Sequence, residues 1–171
     1  MDLKRLIRDI PDFPQPGILF RDITPLLHEP EAFRYVIGRF SDHYRGAGLD
    51  AIVAIESRGF IFGAPLATEL GLPFVPVRKP GKLPAAHMSV EYSLEYGTSQ
   101  LDIHEDALQR DARVLIIDDL LATGGTAMAT AKLVELLGAR VHSIAFLVEL
   151  LFLNGRDALR DYEVLSLVTY Q

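Results

Sequence analysis

The stretch Val114-Leu115-Ile116-Ile117-Asp118-Asp119-Leu120-Leu121-Ala122-Thr123-Gly124-Gly125-Thr126 decides how this chain is read. Four aliphatic residues in a row, 114–117, are the pattern of a strand buried on both faces, as in a parallel sheet covered by helices. Two acids and a short glycine-containing loop follow. Thr130, Leu133, Val134 and Leu137 then recur at helical spacing as far as Gly138. Ligands of open α/β sheets bind at the carboxyl ends of the strands. The first amides of a helix lack partners within the helix and carry partial positive charge, so they favour a phosphate. Gly124 and Gly125 let the backbone come close to a ligand, and Thr123 and Thr126 add hydroxyl donors. The string lacks the Gly-Lys-Ser/Thr ending of a Walker A loop, and it is not Gly-x-Gly-x-x-Gly. The acids narrow the ligand. Beside a phosphate cradle an acid pair repels phosphate unless it faces something else, and ribose hydroxyls and Mg²⁺-bound water are suitable partners. Together these features describe a site for a 5-phosphoribosyl group. The bland alternative is a solvated strand-to-helix turn.

Outward from this stretch, strands and helices alternate. Residues 51–55 (Ala-Ile-Val-Ala-Ile) read as a buried strand leading into Glu56-Ser57-Arg58-Gly59 and a helix that ends near Gly71. Pro65 inside that helix is a difficulty, because it removes a backbone bond. Residues 74–77 read as a strand in which Pro76 indicates an edge or irregular pairing. Residues 141–148 form another strand and 164–168 a weaker one. Between Pro30 and Gly46, Phe33, Val36, Ile37, Phe40 and Tyr44 share one helical face. The expected fold is therefore α/β, with a mainly parallel central sheet flanked by helices. The 171 residues fit one domain, with no repeat or dividing linker. Residues 79–100 lack helical period and read as a long loop or β-hairpin, a common form for a lid or binding segment.

Composition excludes several classes. There is no cysteine, so disulfides, zinc–thiolate sites and a catalytic thiol are ruled out. The net charge of −6 has the wrong sign for a nonspecific nucleic-acid or anionic-membrane binder. The first residues mix both signs of charge and lack the apolar stretch of a signal peptide. The longest apolar run, 144–153, is broken by Glu149 and is too short to span a bilayer. A cytoplasmic protein with no nucleic-acid or membrane partner is expected. His28, His43, His87, His104 and His142 have no metal-ligand spacing and read as structural or surface residues, with His87 alone in the long loop.

Four segments carry a family resemblance. Residues 114–126 are similar to the motif of type I phosphoribosyltransferases that binds phosphoribosyl pyrophosphate (PRPP). The resemblance implies that Ala122, Thr123, Gly124, Gly125 and Thr126 surround the 5-phosphate, with Asp118 and Asp119 at the ribose hydroxyls. Residues 12–27 (Asp-Phe-Pro-Gln-Pro-Gly-Ile-Leu-Phe-Arg-Asp-Ile-Thr-Pro-Leu-Leu) read alone as an irregular, proline-bounded segment with buried apolar residues. They resemble the hood of adenine phosphoribosyltransferases, which implies that Phe20 stacks on the purine while backbone groups of Leu19 and Arg21 meet its exocyclic amine and N1. Glu56-Ser57-Arg58-Gly59 resembles the loop that receives pyrophosphate. There Arg58 and the amides of 57–59 would grip phosphate oxygens, and a cis peptide is implied between Glu56 and Ser57. Residues 78–84 and 92–97 resemble the two ends of a mobile flap. Lys82 would reach the pyrophosphate. Glu95 corresponds to a carboxylate that manages a proton on the purine ring, with Tyr96 beside it. Residues 85–90 match no specific family pattern.

The resemblance spans about residues 12–148 and implies the type I phosphoribosyltransferase fold, with a hood at about 1–30 and a flexible flap at about 79–100. It implies transfer of the 5-phosphoribosyl group of PRPP to N9 of adenine, giving AMP and pyrophosphate in purine salvage. Glu95, Arg58 and Lys82 would be catalytic. Mg²⁺ would be held mainly by PRPP, with Asp118 and Asp119 reaching it through water, and a homodimer is implied. The rivals are a sister transferase for another base, a PRPP-sensing regulator and a nucleotide hydrolase.

Overall fold

The structure is a computed structural model that describes residues 1–93 and 97–171. Its chain divides into two compact units, Met1–His43 and Tyr44–Gln171.

In the first unit, β1 (Arg8–Pro11) pairs antiparallel with β2 (Leu19–Asp22), placing Asp9 opposite Arg21 and Ile10 opposite Phe20. The connection turns sharply through Asp12, whose carboxylate accepts the Gly17 amide at 2.8 Å. Ion pairs Arg8–Asp22 (2.6 Å) and Arg21–Asp9 staple the ribbon. Asp22 also accepts the backbone amide and hydroxyl of Thr24, and these bonds, with Arg8, hold its carboxyl down at about 2. The short α1 (Thr24–His28) and the longer α2 (Pro30–Tyr44) follow. Ala32, Val36 and Phe40 are fully buried, at the i, i+4 spacing of one helical face. The reading of 12–27 as irregular with buried apolar residues holds only in part: Ile23 and Leu26 are buried. Part of it is strand, and Phe13, Ile18 and Leu19 are exposed (50%, 39% and 45%).

The second unit opens with β3 (Ala51–Ile55), every residue of which is buried. α3 (Gly59–Leu70) follows, ended by Gly71 in the left-handed conformation at φ 67°. The helix continues through Pro65, which forfeits only the bond to the Ile61 carbonyl, while Phe62, Gly63, Leu66 and Ala67 stay buried around it. A Cβ on Gly63 would stand 2.6 Å from Ala54 Cβ, so the helix packs on the strand there with no room for a side chain. Next come β4 (Phe74–Val77), β5 (His87–Ser93), β6 (Thr98–His104), β7 (Arg113–Leu121) and α4 (Gly125–Leu136). The chain closes with β8 (Arg140–Leu150), a 3-10 turn at Leu151–Leu153, the single-turn α5 (Gly155–Ala158) and β9 (Val164–Tyr170).

The central sheet has the order β4-β3-β7-β8-β9 and is parallel throughout. Pro76 does lie on an edge strand. The carbonyls of Pro73 and Val77 accept the amides of Ile52 and Glu56, so the alternate Pro76 faces away from β3, and its missing N–H costs the central sheet no bond. β7 is longer than its aliphatic run. Asp118 and Asp119 lie inside it rather than beyond its end, with Asp118 opposite Phe146 and Leu120 opposite Val148. The segment 79–100 contains β5 and the start of β6, an antiparallel hairpin that runs on to His104. Met88, Val90 and Tyr92 from β5 and Leu101 and Ile103 from β6 join the main core, and Arg78 bridges to Asp102. The apolar run 144–153 divides at the strand end: 144–150 are buried, whereas Phe152 and Leu153 are exposed. Among the described residues, no helix is long and apolar enough to cross a membrane.

Candidate active site

At the carboxyl ends of β3 and β7, two adjoining cavities share Arg58, Asp118, Asp119 and Thr126. One, of about 220 Å³, is lined by 118–127 and Phe146; the other, of about 440 Å³, adds Glu56, Ser57, Lys79, Tyr92, Ser99 and Leu101. A third cavity, of about 460 Å³, lies at the opposite ends of the strands between Asp50, Pro73 and 106–112. It lacks a strand-to-helix phosphate cradle. The chemistry gathers instead where α/β sheets bind their ligands.

Gly124, at φ 87°, turns the chain so that the amides after it open α4. The helix start therefore lines the same cavity as the two acids. Asp119 is only 5% exposed, and its Oδ2 meets Arg58 Nε at 2.7 Å. The Asp119 amide donates to Asp118 Oδ1 at 2.8 Å. Burial, and then the neighbouring Asp119 charge, push the Asp118 carboxyl well above the usual carboxylate range. Burial also raises Asp119, although Arg58 pulls against it. Two carboxylates this close and this dry need donors or a cation before both can ionise comfortably.

Gly59 explains how Arg58 gets there. A Cβ on it would meet Ile117 O at 2.8 Å and Asp118 Oδ1 at 3.0 Å, so only glycine lets the start of α3 sit against β7. The Glu56–Ser57 peptide is cis, as the sequence resemblance implied. Glu56 accepts Arg78 Nε (3.1 Å) and the Lys79 amide (3.0 Å). Burial alone would raise its carboxyl, but those bonds and the charges of Arg78 and Lys82 bring it below the ordinary value. Thr126 Oγ1 donates to Tyr92 Oη at 3.3 Å, tying the β5–β6 hairpin to the start of α4.

Residues 23–167 match the family described as the phosphoribosyl transferase domain. The adenine phosphoribosyltransferase of Acaryochloris marina is 61% identical over 170 residues, covering 99% of this chain and all of the relative. The chain belongs to the adenine phosphoribosyltransferase family. The crystal structure of adenine phosphoribosyltransferase from Thermoanaerobacter pseudethanolicus superposes with a TM-score of 0.96 at 57% identity, covering 99% of this chain and 98% of that one. The Saccharomyces cerevisiae enzyme, complexed with D-2,5-dideoxy-2,5-imino-altritol 1,6-bisphosphate and adenine, has a TM-score of 0.93 at 42% identity, covering 97% and 96%.

Within this adenine phosphoribosyltransferase fold, Ser57, Arg58, Asp118, Asp119, Ala122, Thr123, Gly124, Gly125 and Thr126 converge on the paired cavities. Lys82 is exposed and lines neither, whereas Lys79 lines the larger one. Leu19, Phe20 and Arg21 lie on β2 of the first unit, where Phe20 packs edge-to-face with Phe13, ring centroids 5.1 Å apart. Glu95 and Tyr96 lie outside the described residues. His87 sits at the start of β5, its Nδ1 3.0 Å from the Ala85 carbonyl and its Nε2 3.7 Å from Asp102. Sequence reading gave no individual role to Glu56, Lys79 or Tyr92. The adjacent cations Arg78-Lys79 were the available signal for the first two, and nothing local marks Tyr92.

Among the described residues, no group of three or more histidines and acids could hold a metal. The paired acids Asp118 and Asp119 fit a Mg²⁺ that keeps most of its waters and takes its remaining ligands from substrate phosphates.

Proposed function

We propose that this chain makes AMP by transferring the 5-phosphoribosyl group of PRPP to N9 of adenine, releasing pyrophosphate. The observation that carries the reading is the shared cavity. Helix-start amides at 124–126 and the acid pair of half-buried Asp118 and buried Asp119 face one space, in a chain 61% identical to a named adenine phosphoribosyltransferase.

Each residue then has a task. The amides and hydroxyls of 122–126 hold the 5-phosphate. Asp118 and Asp119 accept the ribose hydroxyls and balance positive charge that develops on the sugar as the anomeric bond breaks. Arg58, held at Asp119 in the free chain, transfers its fork to the departing pyrophosphate, helped by the amides of Ser57 and Gly59. Lys79 from the cleft wall and Lys82 from the exposed loop add positive charge. Asp118 and Asp119 would reach, through water, a Mg²⁺ carried mainly by PRPP, and that ion would supply neutralisation of phosphate charge. The 79–100 segment acts as a flap that excludes water, and its Glu95 manages the purine proton with Tyr96 alongside. Phe20 stacks on adenine. The protein works in the cytoplasm as a homodimer, in purine salvage.

Base choice follows from the backbone of Leu19 and Arg21. Adenine offers a donor at N6 and an acceptor at N1, and hypoxanthine reverses both. Two buried mismatches at roughly 1–3 kcal/mol each give a preference of roughly 30-fold to 10⁴-fold. The test is incubation with Mg²⁺, PRPP and adenine, hypoxanthine or guanine, with nucleotide read by chromatography. AMP should form and the other nucleotides stay near background. Free ribose phosphate without base transfer would point to a hydrolase instead.

A further inference from the structure

Gly155, which none of the chemistry above uses, lies behind the phosphate loop. A Cβ on Gly155 would stand 2.3 Å from the Ala122 carbonyl oxygen and 2.8 Å from Leu121 Cδ1. In return, a Cβ on Gly124 would stand 2.6 Å from the Gly155 carbonyl oxygen. The nearest obstacle on each side is main chain, which cannot rotate away as a side chain can. The loop and the turn therefore touch along their backbones, and neither has room for one more carbon.

The turn is itself anchored. Asn154 takes a left-handed conformation (φ 52°), and its carbonyl accepts the Asp157 amide at 3.0 Å. Arg156 forks onto Glu149, with Nε–Oε1 at 2.7 Å and Nη2–Oε2 at 2.8 Å, and reaches the Val164 carbonyl at 3.2 Å. Glu149 is 2% exposed and sits on β8 opposite Leu121, the last residue before the loop. An ordered path thus runs from the sheet through Glu149 and Arg156 to Gly155 and on to the Ala122 carbonyl.

That carbonyl matters because the Ala122 C=O and the Thr123 N–H belong to one planar peptide. Anything that moves the oxygen re-aims the amide. We propose that Gly155, held by the Arg156–Glu149 clamp, is a positioning residue that sets the direction of the phosphate-loop amides toward the 5-phosphate of PRPP. The proposal rests on the reading that residues 122–126 take that phosphate. It separates the two ends of the substrate: the clamp governs the 5-phosphate end, while the pyrophosphate end, at Ser57 and Arg58, lies outside its reach.

Gly155→Ala tests it, with Arg156→Lys as the milder second variant, since lysine keeps the charge on Glu149 but loses the fork. In Gly155→Ala, KM for PRPP and the dissociation constant of ribose 5-phosphate by calorimetry should rise together by about 10-fold to 100-fold. KM for adenine and inhibition by Mg²⁺-pyrophosphate should stay within about 3-fold of the parent. Arg156→Lys should move the same two constants in the same direction by a smaller factor, and it carries the test alone if Gly155→Ala does not fold. A folded variant with parental ribose 5-phosphate binding overturns the positioning role while leaving the function intact. So does an equal loss at both ends of the substrate, which would mark general damage. If the parent chain itself does not bind ribose 5-phosphate, the reading of the loop falls and the proposal with it.

Discussion

Arg58 and Asp119 form one ion pair, yet removing either partner should move stability in opposite directions. The asymmetry comes from burial: the Arg58 side chain is 41% exposed and that of Asp119 only 7%. At 2.7 Å, with an effective dielectric of about 20, the gross attraction is about 6 kcal/mol. Desolvation of Asp119 and water around the half-exposed guanidinium cancel most of it, leaving about 1–2 kcal/mol for Arg58→Gln to lose. For a chain of this length that is a fall in Tm of about 3–6 °C. Asp119→Asn leaves a cation that water can still reach and removes the more buried of two adjoining acids. Because the Asp119 carboxyl is raised even with Arg58 beside it, the charged form is a net burden on the free fold, and the Asn variant should melt at or above the parent temperature. The signs extend to pH. Both acids have folded pKa values above their unfolded ones, so the folded chain holds more protons and stability falls as pH rises from about 4 through the folded values. Without Arg58 this fall should steepen, making the Arg58→Gln deficit larger at pH 8 than at pH 5. Thermal melts of the two single variants and the double variant at both pH values provide the assay. An Arg58→Gln protein as stable as the parent at pH 8, or an Asp119→Asn protein clearly less stable, would refute this electrostatic account of the site.

Asp118→Asn should show the same exchange, because burial and the neighbouring Asp119 charge raise its carboxyl too. Its Tm should rise at pH 8 and change little near pH 4, while calorimetry shows PRPP binding weakened; a lower Tm at pH 8 would contradict the assignment. Gly63→Ala tests the fold apart from the chemistry. Its Cβ would meet Ala54 Cβ at 2.6 Å and Ile117 Cγ2 at 3.1 Å, so a loss of about 1–3 kcal/mol in urea unfolding is expected, with KM for both substrates unchanged in the protein that remains folded.

Legibility in the sequence followed the range of the interactions. The route from β7 through the loop to α4 could be read because each step is local: an aliphatic run, a glycine that tolerates φ 87°, and a helical period closed by Gly138. Pro76 marked its edge for an equally local reason, the missing donor. Contacts made across the chain were harder to read. β7 continues through its acids because β8 stays in register as far as Glu149, which nothing in residues 114–121 announces. Thr98, Ser99 and Gln100 do not look like a strand until Ser93, Tyr92 and Glu91 pair with them.

The site divides in the same way. Residues 122–126 and the acid pair could be named from spacing and resemblance. That Arg58 would sit on Asp119 depends on Gly59 letting α3 meet β7, a packing fact. The placement of Lys79 in the cleft and Lys82 outside it depends on Glu56, which captures the Lys79 amide from 23 residues away. Arg156 and Glu149, seven residues apart across a turn, have no periodicity to connect them, and only the fold shows that they pair.

The most direct test of the account is a crystal structure of the chain with Mg²⁺ and PRPP bound. The 5-phosphate should lie on the amides of 123–126, within about 3 Å of their nitrogens, with the ribose hydroxyls on Asp118 and Asp119. A sugar phosphate seated elsewhere, or one that leaves both acids without a hydroxyl or a metal-bound water, would contradict it.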